Sequence, residues 1–257
     1  MIRRLGAPGF HGVGGIALAD LGVACPGAAA AGNGLLNNLI AYWPGNEANG
    51  NLLDLHTNGI TLVDNNTVTS AAGLVYPTAR QYTAANHEFF NLNADLFLST
   101  GDVDFTWSLW VYRTGIGADD GLLSRLWTDY WLGITAANVV RFTIYNAGAP
   151  KGTVNSTATV GAAAWHLITV WHDSVANTVN AQIDDGAAAS AATTGAPNGG
   201  AATFDLGLDQ TVAWMNGRIG PTMFWKSAAG GGGVLTAAQR TALYNAGAGL
   251  TYAAFTL

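Results

Sequence analysis

The chain has 257 residues, 49% of them hydrophobic and only 10% charged, with a formal net charge of −6. That is enough chain for one large domain, and the lack of clustered cations excludes a nucleic-acid partner. A single cysteine, Cys25, excludes an internal disulfide, so the core must hold by packing, and no window approaches the roughly 18 apolar residues of a membrane span.

Taken in chain order, residues 1–38 come first and differ from the rest: Gly and Ala dominate, and Phe10 is the lone aromatic. Such a segment buries too little apolar surface to order itself. It reads as an extended N-terminal arm, 1–38, held by another chain; the plainer alternative is that it lies along its own domain. Cys25 in "LGVACPG" loosely resembles a lipoprotein cleavage box, but Asp20 and several glycines break the apolar run before it.

From Leu39 the texture becomes β. "LIAYWP" (39–44) is an apolar run stopped by Pro44, and "GITLVD" (59–64) alternates. "DFTWSLWVYR" (104–113) has period two. One parity, Phe105, Trp107, Leu109 and Val111, is expected to face an inter-sheet core, and the other, with Trp110 and Tyr112, the opposite concave face. "GLLSRL" (121–126), "YWLGIT" (130–135) and "VVRFTIYN" (139–146) follow at meander spacing. "WHLITVWHD" (165–173) and "TVNAQIDDG" (178–186) read as a hairpin, and "ATFDLGLD" (202–209) and "GRIGPTMFWK" (217–226) complete the set. Short strands split by Gly, Asn and Asp turns predict a two-sheet antiparallel sandwich or jelly roll over 39–257. One short C-terminal helix is predicted in "LTAAQRTALYNAG": Thr236 and Gln239 form a capping box, Leu243 and Tyr244 face inward, and Gly247 closes the helix.

Four blocks carry a family resemblance. "LIAYWPGNEANGNLLDLHTNG", "VDFTWSLWVYRT", "AWHLITVWHDSVANTVNAQIDDG" and the closing "FDLGLDQTVAWMNGRIGPTMFWK…LTAAQRTALYNAG" resemble, in order, the signatures of laminin-G-like domains of the concanavalin A-like lectin/glucanase superfamily. The resemblance covers about residues 39–250 and implies two curved antiparallel sheets. Glucanases of that superfamily use paired glutamates in a Glu-x-Asp-x-x-Glu pattern, and glycoside cleavage needs two carboxylates. Glu47 and Glu88 are the only glutamates and neither fits, so no enzyme is expected.

The resemblance also implies calcium as the one cofactor to consider, since many laminin-G-like domains bind it and hard cations take loop carboxylates. Candidate ligands are Glu47 and Asp54 in the opening loop, Asp119 and Asp120 in "GADDG", and Asp209 in "GLDQ". A sugar site needs aromatic faces beside polar groups, and loops gather binding residues. "RLWTDYWLG" (125–133) offers Trp127, Asp129, Tyr130 and Trp131, and "DQTVAWMNG" (209–217) offers Trp214 and Asn216. The plainer fate of these residues is packing and solvated turns.

The sequence therefore predicts a non-enzymatic virion structural protein, a bacteriophage capsid or tail surface component and homo-oligomer. Its residues 1–38 would dock onto other virion subunits while the lectin-like domain faces outward for glycan or host-surface adhesion. The grounds are the Gly/Ala-rich N-terminal segment, the lack of disulfides and of a recognisable secretion signal, and the missing active site. The alternative is a secreted or bacterial-surface glycan-binding module.

Overall fold

The computed structural model describes residues 32–125, 127–209 and 213–257. Residues 1–31, most of the expected arm, lie outside the described residues. Residues 32–38 correct the arm's boundary: they belong to the compact unit Gly32–Leu257, and Leu35 is fully buried in it. The indole N–H of Trp225 donates to the Leu35 carbonyl at 2.8 Å, and Leu36 N–H donates to the Thr256 carbonyl.

The strands in chain order are β1 (Leu39–Trp43), β2 (Val63–Asn65), β3 (Thr69–Ala72), β4 (Thr78–Tyr82) and β5 (Phe89–Asp95). Then come β6 (Asp104–Arg113), β7 (Asp120–Ser124), β8 (Tyr130–Ile134), β9 (Val139–Asn146) and β10 (Ala149–Thr159). The last are β11 (Trp165–Asp173), β12 (Thr178–Ile183), β13 (Ala189–Ala192), β14 (Ala202–Leu206) and β15 (Gly217–Ser227), followed by the helix α1 (Ala237–Tyr244). They form two antiparallel sheets. One has eight strands, in the order β13-β12-β11-β6-β15-β4-β3 with β1 also on β15. The other has seven, in the order β10-β9-β8-β7-β14-β5-β2. This is the all-β jelly-roll sandwich expected, with one short C-terminal helix.

The period-two pattern of β6 decides which rings go where. Phe105, Trp107, Leu109 and Val111 lie in the core between the sheets, all fully buried. Trp107 stacks on Phe224 with ring centroids 4.3 Å apart, and on Phe204 at 5.2 Å. Trp110, on the opposite parity, is buried in a second cluster on the outer face of the eight-stranded sheet. There α1 and the chain ends cover it, with Tyr244 stacked at 5.9 Å. Tyr112 is half-buried against Trp165 and the Arg218 guanidinium.

Helix α1 starts as predicted: Thr236 accepts from the Gln239 N–H and the Gln239 side chain returns to the Thr236 N–H. Its left-handed cap is Asn245 (φ 49°), not Gly247; Asn tolerates that conformation better than other non-glycine residues. Pro221, inside the long strand β15, coincides with a register shift between Ile219 and Thr222. A bulge tolerates a residue without an N–H in a central strand.

Candidate functional site

The outer face of the seven-stranded sheet carries the site. In β8, Tyr130, Leu132 and Ile134 point into the core, so Trp131 and Gly133 face outward. In β9, Val140, Phe142 and Ile144 point inward, which turns Arg141, Thr143 and Tyr145 to the same outer surface. Register aligns Trp131 with Thr143 and Gly133 with Arg141. These residues floor a cleft of about 510 Å³. Trp127 from the β7–β8 turn stands at one end, edge-on to Tyr145 with centroids 5.0 Å apart. Asp119 and the β8–β9 turn residues Thr135 to Ala137 close the other, and Asp209 borders it from the segment after β14.

Two glycines shape the floor. A Cβ on Gly133 would lie 2.7 Å from Cζ2 and 3.0 Å from Cη2 of Trp131, so the indole lies across Gly133. A Cβ on its register partner Gly121 would lie 2.2 Å from the Asp209 N and 2.5 Å from the Ala213 carbonyl. The absence of a side chain there lets Leu208, Asp209 and Ala213 approach the sheet closely.

The far rim is fixed by Arg113. Its Nε donates to Asp120 Oδ2 at 2.7 Å, and its Nη atoms donate to Asn138 Oδ1 and the Ala118 carbonyl. The Asn216 N–H donates to the other Asp120 oxygen. Burial pushes the Asp120 carboxyl up, and the Arg113 guanidinium opposes the shift. Asp119 accepts the Ala136 N–H, tying the two rim loops together.

The structure sorts the sequence candidates. Trp127 (43% exposed) and Trp131 are brought together. Asp129 and Tyr130 are corrected: both are fully buried. Asp129 lies 3.1 Å from Arg125 and accepts the Thr100 and Gly199 N–H groups; burial raises its carboxyl. Tyr130 donates to the Leu98 carbonyl inside the core. Trp214 stacks on His87 at 4.5 Å, with Phe89 edge-on, and does not line the cleft. Asn216 serves the rim through its backbone, its carbonyl accepting from Thr114.

The five carboxylates considered for calcium are not gathered into one site. Glu47 accepts the Leu53 N–H, and Asp54 accepts those of Tyr42, His56 and Ile60. Asp120 is committed to Arg113. Asp119 and Asp209 alone line the cleft, and Asp209 also accepts the Ala213 N–H. Among the described residues no group of three His, Cys, Asp or Glu could hold a metal. Calcium wants six to eight oxygens, so this donor set does not fit it.

Arg141, Thr143 and Tyr145 were missed by sequence reasoning. Their signal was present, since they alternate with the apolar Val140, Phe142 and Ile144.

With this geometry in view, the chain belongs to the concanavalin A-like lectin/glucanases superfamily, whose family profile matches residues 85–231. No curated protein sequence matches the chain. Among solved structures it is similar to the binding domain of Paraclostridial Mosquitocidal Protein 1, at TM-score 0.59 and 12% identity over 81% of this chain and 52% of that one. It is also similar to the binding domain of Botulinum Neurotoxin DC in complex with SialylT, at 0.55 and 13% over 84% and 52%. A third is domain 4 of AbnA, a GH43 extracellular arabinanase from Geobacillus stearothermophilus, in complex with arabinotriose, at 0.52 and 15% over 80% and 97%. The chain spans about half the length of the two toxin structures. At these identities the likeness establishes the fold.

Proposed function

We propose that residues 32–257 are a non-catalytic carbohydrate-binding module whose ligand lies in the cleft on the outer face of the seven-stranded sheet. The observation that carries this reading is the cleft itself, which joins Trp127, Trp131 and Tyr145 with Arg141, Asp119 and Asp209. Sugar recognition needs aromatic faces and directional hydrogen-bonding groups together. The fold is shared with a domain named for binding and with an arabinanase domain in complex with arabinotriose. A non-catalytic role fits the absence of the superfamily's glutamate pattern from the sequence.

A glycan array with the full chain tests this. Binding is expected, it should fall away in the Trp127→Ala/Trp131→Ala double variant, and a calcium chelator should leave it unchanged. Binding that survives the double variant places the site elsewhere, and no binding at all leaves a structural role.

Display on a bacteriophage particle, with assembly through the N-terminal segment and association with further copies of the chain, is the second part of the proposal. It rests on the composition of that segment. Co-sedimentation of the full chain, and its failure in a chain lacking residues 1–31, is the outcome expected.

A further inference from the structure

The nine tryptophans differ in one respect. Trp43, Trp107, Trp110, Trp127, Trp165, Trp214 and Trp225 each pack against another aromatic ring. Trp171 lies under the Arg240 guanidinium. Trp131 alone has neither a ring nor a cation against it among the described residues, and it lies in the cleft. Its indole N–H is shut off from solvent and has no acceptor among the described residues. The polar edge is therefore turned into the protein, and what the residue offers outward is carbon surface. The Cζ2–Cη2 part of the ring lies over Gly133, and the side chain lines the cleft.

The surroundings narrow the ligand. Arg141 sits in register beside Gly133. Its Nε donates to Asn155 Oδ1, and it forms no salt bridge among the described residues. Asp119 and Asp209 stand across and at the rim. Two carboxylates against one guanidinium leave the cleft net negative, which disfavours an anionic sugar. Carboxylates accept hydroxyl protons and the guanidinium donates to hydroxyl oxygens. The cleft is also long: Tyr145 to Arg141 alone spans about 13 Å along β9, and Trp127 and the β8–β9 turn extend it at either end.

From these observations we infer that the cleft takes a neutral oligosaccharide running along β8 and β9, with one sugar ring stacked on the indole of Trp131, and that Gly133 is the positioning residue that lays the indole flat. This rests on the carbohydrate-binding reading and gives it a ligand class. A side chain at 133 would push the indole up from the sheet and tilt its face out of the cleft.

Isothermal titration of the full chain tests it. The probes are neutral gluco-, xylo-, manno-, galacto- and arabino-oligosaccharides from monosaccharide to hexasaccharide, with uronic-acid and sialylated oligosaccharides of matched length. A neutral series is expected to gain about tenfold or more in affinity between mono- and trisaccharide. Trp131→Ala and Gly133→Ala are each expected to lose about tenfold or more, with circular dichroism showing that the variants fold. If Gly133→Ala does not fold, Trp131→Ala and the length and charge series in the unaltered protein decide the matter. Preference for the acidic series, a monosaccharide binding as well as the trisaccharide, or unchanged affinity in Trp131→Ala overturns this inference while leaving glycan binding in place. Silence from every series overturns both.

Discussion

Asp205 is the residue whose ionisation should be most visible in the protein's stability. It lies on β14 between Asn91 of β5 and Ser124 of β7. It is 5% exposed, and its flanking residues Phe204 and Leu206 are core. Burial alone raises its carboxyl from 3.8 to about 6. The folded protein thus holds this proton more tightly than the unfolded chain does. Stability is highest below the unfolded value, falls as the pH rises from about 4 to about 6, and stays low above that. That difference corresponds to about 3 kcal/mol, a large share of the roughly 5–15 kcal/mol typical of a domain.

The perturbation is Asp205→Asn, which keeps the shape and removes the titration. The amide carries its own burial cost, but that cost does not vary with pH. Urea unfolding of parent and variant from pH 4 to pH 8 isolates the carboxyl. The stability difference should move by about 3 kcal/mol in the variant's favour across that range. A difference that stays flat, or that moves toward the parent, refutes the reasoning and means the carboxylate is solvated or paired when ionised.

Other predictions address packing and the rim. Trp107→Ala should cost about 3–5 kcal/mol because the ring is fully buried in the stack with Phe224 and Phe204; a melting temperature close to the parent's would show that the core repacks. Arg113→Ala should cost about 3–5 kcal/mol by leaving Asp120 as a buried, unpaired carboxylate, and Arg113→Ala/Asp120→Asn should recover much of that in the same denaturation assay. Thr236→Ala removes the capping box of α1 and should cost about 1 kcal/mol, read as a shift in urea midpoint without a change in slope.

Much of the sandwich was legible in the strands because burial on one side imposes period two. The split of Phe105 and Trp107 from Trp110 follows from parity alone. The same rule, applied to "YWLGI", separates inward Tyr130 from outward Trp131; grouping both with Trp127 and Asp129 as one loop-borne sugar site hid it. Asp129 was illegible for another reason: a carboxylate in a turn looks solvated until Arg125 and two backbone N–H groups close around it. Asp119 and Asp209 are far apart in sequence, and only the placement of β14 beside β7 brings both to one cleft. The boundary at residue 38 was misplaced because Gly and Asn hide contacts made by backbone. Asn33 and Leu36 are tied to the C-terminal residues through main-chain groups that composition does not report.

Those ties also fix where the two ends of the unit lie. Asn33 N–H donates to Thr256 Oγ1, and Thr256 N–H donates back to Asn33 Oδ1, so the two ends of the unit Gly32–Leu257 lie side by side. They adjoin the cluster on the outer face of the eight-stranded sheet, whereas the cleft opens on the outer face of the other sheet. The main-chain ties at Asn33 and Thr256 therefore lie away from the Trp131 face, and a ligand reaches the cleft without passing them.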